Sequence, residues 1–181
     1  MLIEIRQQAG TVTHEYSISV DGNAAYFAFQ AFRNFRTYID VWSAPGVTPP
    51  LRMEIKRYWS WLNTKYTIRL GDQKEVMLRS TSFFRPTYEA RDQQLYYELI
   101  GHQDFGASIF VNGVQIASLA KKNIVSILGS DRYTVVANNS ADVEMLLAVA
   151  LIWDNIYGDQ AISLGLWWQR QPPDHHWEPE E

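Results

Sequence analysis

Apolar and polar residues alternate along most of this chain in short runs that end at turn residues, the pattern of many antiparallel strands. Over 12–20, Val12, His14, Tyr16, Ile18 and Val20 oppose Thr13, Glu15, Ser17 and Ser19, and the run stops at Asp21-Gly22, a hairpin-type pair. A stretch dense in Phe and Tyr follows over 24–43, closed by the loop 43–50. In 51–56, Leu51, Met53 and Ile55 face away from Arg52, Glu54 and Lys56; in 64–70, Tyr66, Ile68 and Leu70 face away from Lys65, Thr67 and Arg69. Segments 74–80, 87–91 and 94–100 continue the pattern less cleanly. Asn112-Gly113 joins two strand-like runs over 107–119 in what reads as a type I′ hairpin, and 132–138 and 161–169 read as two further strands.

One segment breaks the alternation. Met145 to Trp153 are nine uninterrupted apolar residues, and at 100° per residue they cover the whole helical circumference. A helix apolar all round is buried all round. It is expected over about 140–157, capped by Asn139 or Ser140, with Asp142 and Glu144 in the first turn and Gly158 as its stop. An interfacial or membrane-inserted helix is the competing reading, but it calls for a polar stripe or a run of roughly 18 to 20 apolar residues. Strands with one apolar face must close around something or pair into a sandwich. The expected fold is therefore mainly β: a closed antiparallel β-barrel of about twelve strands around one central hydrophobic α-helix. Asp154 is an anomaly, because a carboxylate near a helix C-terminus opposes the dipole. It is expected at the barrel mouth, in water or held by an Arg or a backbone N–H.

Composition narrows the class. The 181 residues fit one domain over 1–170, followed by an acidic, Pro- and Glu-rich flexible tail over 171–181. Aromatic content of 14%, with seven Trp, favours strands over helices. There is no cysteine, which excludes disulfides, thiolate metal sites, thiol nucleophiles and S-acylation. No secretory signal or membrane-spanning run is seen, so a cytoplasmic location, peripheral at a membrane, is expected.

The net charge of −4 hides an asymmetry. The tail holds Asp174, Glu178, Glu180 and Glu181 with no basic residue, leaving 1–170 neutral, with sixteen basic and sixteen acidic groups. Residues 33–91 hold eleven basic and five acidic groups, so an anionic partner is sought there. A neutral body argues against nucleic acid, where phosphate neutralisation supplies most of the affinity.

The order of three segments carries a resemblance. A strand, an Asn-Gly turn and a strand ending in Lys-Lys (109-IFVNGVQIASLAKK-122) precede 129-GSDRYTVVANN-139 and then the apolar helix with Asp142 and Asp154. Over about residues 94–157 this resembles the tubby C-terminal-like superfamily, in particular its LURP-one-related and phospholipid-scramblase-like branch. The resemblance implies a twelve-stranded barrel wrapped around a central hydrophobic helix. It implies little about activity: tubby resembles a phosphoinositide-binding adaptor, but no phosphoinositide motif matches residue by residue. Scramblase-type relatives carry acylated cysteines and a terminal anchor, which this chain lacks, so lipid scrambling is not expected.

Four side chains form the main site candidate. If 51–58 and 64–70 pair as a hairpin, Arg52, Lys56, Lys65 and Arg69 share its polar face and suit phosphate oxygens of a lipid headgroup or another anion. The alternative is a solvated outer face with Glu54 interspersed. A second candidate is the aromatic run Tyr26, Phe27, Phe29, Phe32 and Phe35 with Arg33 and Arg36, read as a membrane-interface loop or as ordinary strand packing. His175 and His176 beside Asp174 lack the fixed surroundings of a metal site, and no metal or cofactor is expected. The run 161-AISLG-165 lacks the first glycine of a nucleophile elbow, and no zinc-protease, phosphate-loop or dinucleotide motif is present. The expected function is non-enzymatic binding of anionic phospholipid or another anionic ligand. A protein-interaction or structural module is the alternative, and an enzyme with its site at the barrel mouth is the reading from another class.

Overall fold

Period-two alternation becomes a wall of strands, one face against a core and one against water. The computed structural model describes residues 1–9, 13–34, 36–44, 49–58, 64–71, 74–81, 87–92, 94–102, 106–122, 131–160 and 177–179. Twelve strands run in chain order: β1 (Leu2–Ala9), β2 (His14–Val20), β3 (Asn23–Arg33), β4 (Arg36–Ser43), β5 (Leu51–Tyr58), β6 (Lys65–Leu70), β7 (Lys74–Ser80), β8 (Thr87–Asp92), β9 (Leu95–Gly101), β10 (Ala107–Val111), β11 (Val114–Lys122) and β12 (Arg132–Ala137). Each pairs antiparallel with the next, and β12 pairs with β1 through Leu2↔Val136 to Arg6↔Arg132, so the sheet closes without an edge. A single helix, α1 (Val143–Gln160), follows β12.

Turn chemistry sets the hairpins. Asp21 and Gly22 have φ of 48° and 79°, and Asn112 and Gly113 have 50° and 81°, the paired left-handed conformations of a type I′ turn. The 24–43 stretch forms two strands, turned at Asn34 with φ 51°. The first strand, β1, was missing from the sequence expectation, although it closes the barrel. The strand expected over 161–169 lies outside the described residues, as does the tail apart from 177–179.

The helix fills the barrel. Its residues from Met145 to Ile156 expose at most 4% of their surface each. Inward side chains from all around the wall meet them, among them Ile3, Ile18, Val41, Ile55, Ile68 and Leu78. Eighteen residues give an axle of about 27 Å. It starts later than expected. Asp142, not Asn139 or Ser140, is the cap: its Oδ1 accepts the Met145 N–H at 3.1 Å, and its carbonyl accepts the first helical bond from Leu146 at 3.0 Å. Asn139 instead accepts from the Met1 amine at 2.8 Å. Nor does the helix stop at Gly158; it continues to Gln160.

The barrel has two rims. The helix begins at the proximal rim, where Arg52 of β5 donates to Glu144 through Nε at 2.8 Å and Nη2 at 2.6 Å. Lys74 of β7 lies 2.9 Å from Asp92 and 4.0 Å from Asp142. These ion pairs tie the first helical turn to the wall and line a proximal cleft of about 300 Å³ with Leu51, Leu70 and Gly71. The wall's outward positions carry charges such as Glu4, Asp40, Glu54, Glu89 and Glu98 in mid-strand. A lipid-spanning barrel would carry an apolar band there. Among the described residues no helix is long and apolar enough to cross a membrane.

Candidate functional site

Strands β5 and β6 pair as the sequence suggested, through Met53↔Leu70, Ile55↔Ile68 and Tyr58↔Lys65. Alternation then puts Arg52, Lys56, Lys65 and Arg69 together on the outer face. They do not converge. Arg52 sits at the proximal rim in its fork with Glu144. Arg69 is held between Glu54 at 2.8 Å and Glu75 at 3.6 Å. Lys56 lies over the Tyr38 ring at 5.5 Å, and Lys65 stands exposed at the distal rim opposite Tyr58. Two of the four positive charges are thus already met by carboxylates.

Register lines the outer residues into rows across the strands. One row is Asp40–Glu54–Arg69–Glu75, which is acidic overall. There, burial, Glu54 repulsion and weaker attraction to Arg33 and Lys56 leave the Asp40 carboxyl above its ordinary value. The next row toward the distal rim starts Tyr38–Lys56–Thr67, and the row beyond it joins Arg33 to Arg36 and Tyr58 to Lys65. Arg36 stacks over the Tyr58 ring at 5.1 Å. Arg33, Arg36 and Lys65 are exposed and Lys56 is half-buried. Among the described residues none of these four cations has an ion-pair partner. One group of unneutralised cations thus lies at the distal corner of β3–β6, one strand pair away from where the sequence placed its centre. A second, Arg6–Arg132–Lys122, lies in register across β1, β12 and β11. Further round, Arg79 is neutralised by Glu89, whose carboxyl is held below its ordinary value by bonds from Tyr96 and Arg79.

The aromatic run separates into different environments. Tyr26 packs partly against the core, and Phe27 stacks on Trp42 on the outer face at 5.1 Å and 14°. Phe32 stands 59% exposed at the distal rim, on the inward parity opposite the buried Thr37 and one position before the outward Arg33–Arg36 pair. Phe35, His175 and His176 lie outside the described residues.

Inside the barrel the distal half turns polar. Asp154 is 4% exposed, not solvated at a mouth, and it is held by phenols rather than by an Arg or a backbone N–H. Tyr16 of β2 donates to its Oδ2 at 2.7 Å and Tyr133 of β12 donates to its Oδ1. The Tyr16 oxygen also lies 3.0 Å from the Gln30 side-chain amide. Burial raises the Asp154 carboxyl above the usual carboxylate range; the two phenol bonds and Lys121 only partly offset this. Burial and the Asp154 charge in turn push both phenols up. One residue on, the Asn155 Oδ1 accepts from Tyr66 at 3.0 Å and from Arg57 at 3.3 Å. Arg57 points inward, between the outward Lys56 and Tyr58. The two phenols and the carboxylate bond to one another at Asp154, and Tyr66 and Arg57 both meet the Asn155 oxygen. They fix how deep the axle sits and how it is turned, which an all-apolar helix cannot specify alone. Sequence reasoning missed this cluster. Its one signal was the polar inward parity of Gln7, His14, Tyr16 and Tyr133 near the strand ends.

No protein-family profile, curated protein or solved structure matches the chain. Its function has to be argued from its own surfaces.

Proposed function

We propose that this barrel is a non-enzymatic binding module that docks on anionic phospholipid surfaces through the outer distal corner of β3–β6, and that its twelve strands and central helix belong to a distant tubby-like architecture. The observation that carries the reading is the set Arg33, Arg36, Lys56 and Lys65, without ion-pair partners among the described residues and interleaved with Tyr38 and Tyr58. Cations beside amphipathic rings suit the headgroup region, where aromatic rings and long basic side chains keep a polar tip in water and an apolar body against lipid. The interior chemistry supports a binding role too, since Asp154, Asn155 and their partners are occupied in holding the helix.

Each Lys or Arg near an anionic surface contributes about 1 kcal/mol. Neutralising four of them costs about 4 kcal/mol, roughly three orders of magnitude in affinity. Co-sedimentation with phosphatidylcholine vesicles, with and without phosphatidylserine, tests this. The wild-type chain is expected to bind only the anionic vesicles and to be released by salt. R33Q/R36Q/K56Q/K65Q is expected to lose that binding. R52Q/R69Q, whose charges Glu144, Glu54 and Glu75 already meet, is expected to keep most of it. Equal binding to neutral vesicles, or equal losses in both variants, refutes the assignment.

A further inference from the structure

Strand β3 is the longest in the wall, with eleven residues. Its pairing with β2 begins at Gln30↔His14, whereas its pairing with β4 runs on to Arg33↔Arg36. Ala31, Phe32 and Arg33 therefore extend past the described part of β2, and the chain turns back at Asn34 in a left-handed conformation. At this tip Phe32 is 59% exposed. A singly exposed apolar side chain is ordinary by itself; the place of this one, on the rim that carries the unpaired cations, is what points to a partner. It holds the inward parity opposite the buried Thr37, while Arg33 and Arg36, the Tyr58 ring beneath Arg36 and Lys65 across from Tyr58 lie on the outer face of the same rim.

We infer that the β3–β4 tip is the element that penetrates the anionic bilayer, with Phe32 entering the boundary between headgroups and acyl chains while Arg33 and Arg36 hold lipid phosphates. This rests on the anionic-surface reading above and adds to it a depth and an orientation: the barrel meets the membrane corner first, at its distal rim. Charge complementarity selects a phospholipid surface as the occupant. The cations of this rim have no ion-pair partner among the described residues, and an exposed apolar side chain on the rim beside them matches the layered chemistry of a charged interface. An Arg at this depth keeps its guanidinium at the phosphates while its stem lies along lipid.

The absence of cysteine allows one labelled position at a time. Phe32→Cys and Val114→Cys are each labelled with an environment-sensitive fluorophore; Val114 is a matched control, also 59% exposed but at the proximal rim. On phosphatidylcholine/phosphatidylserine vesicles the label at 32 is expected to shift to the blue and to be quenched by nitroxides on the lipid chains. The label at 114 is expected to stay in water. Phe32→Ala, unlabelled, is expected to bind roughly tenfold more weakly and to lose the part of binding that survives high salt, while Phe32→Trp retains it. A label at 32 that stays water-exposed on vesicles that do bind the protein overturns the inference and leaves the anionic reading standing. So does a Phe32→Ala variant that binds like the wild type, a result that would give Phe32 to a protein contact. Failure of the wild-type chain to bind any vesicle removes both.

Discussion

Replacing Tyr133 with Phe removes one oxygen and leaves the ring, so it opens no cavity. What is lost is the phenol bond to the Asp154 Oδ1, inside a barrel where both residues are buried. A hydrogen bond to a charged group contributes about 1.5–3 kcal/mol, and one to a neutral group about 0.5–1.5 kcal/mol. The folded state raises the Asp154 carboxyl above its unfolded value, so between those two values the native protein holds a proton that the unfolded chain has released. Wild-type stability from this group is therefore greatest in acid and falls as pH rises through that window. In Tyr133→Phe the native carboxyl loses a bond that favoured its ionised form, and the window extends upward. The cost of the substitution is then smallest near pH 4 and grows to a plateau above the folded titration. At about 2–4 °C per kcal/mol for a chain of this size, the melting temperature falls by about 3–12 °C on that plateau. Calorimetry from about pH 4 to 9, repeated in an Asp154→Asn background, measures it. A cost that is independent of pH, or equally large when Asp154 is already Asn, refutes the phenol–carboxylate account.

Leu151→Ala, at a fully buried turn of the axle, is expected to destabilise by about 2–5 kcal/mol, read as a lower urea midpoint at unchanged slope; a loss below about 1 kcal/mol would mean that the helix has a wet side. Asp142→Ala is expected to cost about 0.5–2 kcal/mol and to speed hydrogen exchange at the Met145 amide. Ser140→Ala, by contrast, should leave that amide unchanged. The vesicle-binding and fluorophore experiments complete the set.

Alternation made the wall legible, because Leu51, Met53 and Ile55 can face only one way if Arg52, Glu54 and Lys56 face the other. Asp-Gly and Asn-Gly marked two turns for the same kind of local reason. The axle was legible too, since Met145–Trp153 leaves no face for water. What stayed hidden depends on pairing at long range. The run 2-LIEIRQQA-9 drops its apolar side at Gln7, because the interior there is polar, so it does not announce itself as the closing strand. Arg57 breaks the pattern the other way: a charge at an inward position reads as an interruption until Asn155 and Tyr66 are seen beside it. Nor does the sequence near Arg52 say that Glu144 will cross the rim to meet it, whereas Lys65 is met by no carboxylate among the described residues. The basic face was therefore legible as a face, but the charges left over on it depend on partners supplied by other strands and by the helix.

The seam joining β1 to β12 has a consequence for how the chain assembles. Every other pairing of the described strands is between neighbours in sequence, yet Leu2 must wait for Val136 before the ring is shut. Until then the sheet is an open trough with two raw edges, β1 and β12, and a greasy inner surface. The cargo that fills the trough follows all twelve strands in the chain and hangs by Asn138–Asp142 from one of those very edges. Wall and filling thus arrive together, and the final zip at the seam can trap the helix inside without threading it through a finished cylinder.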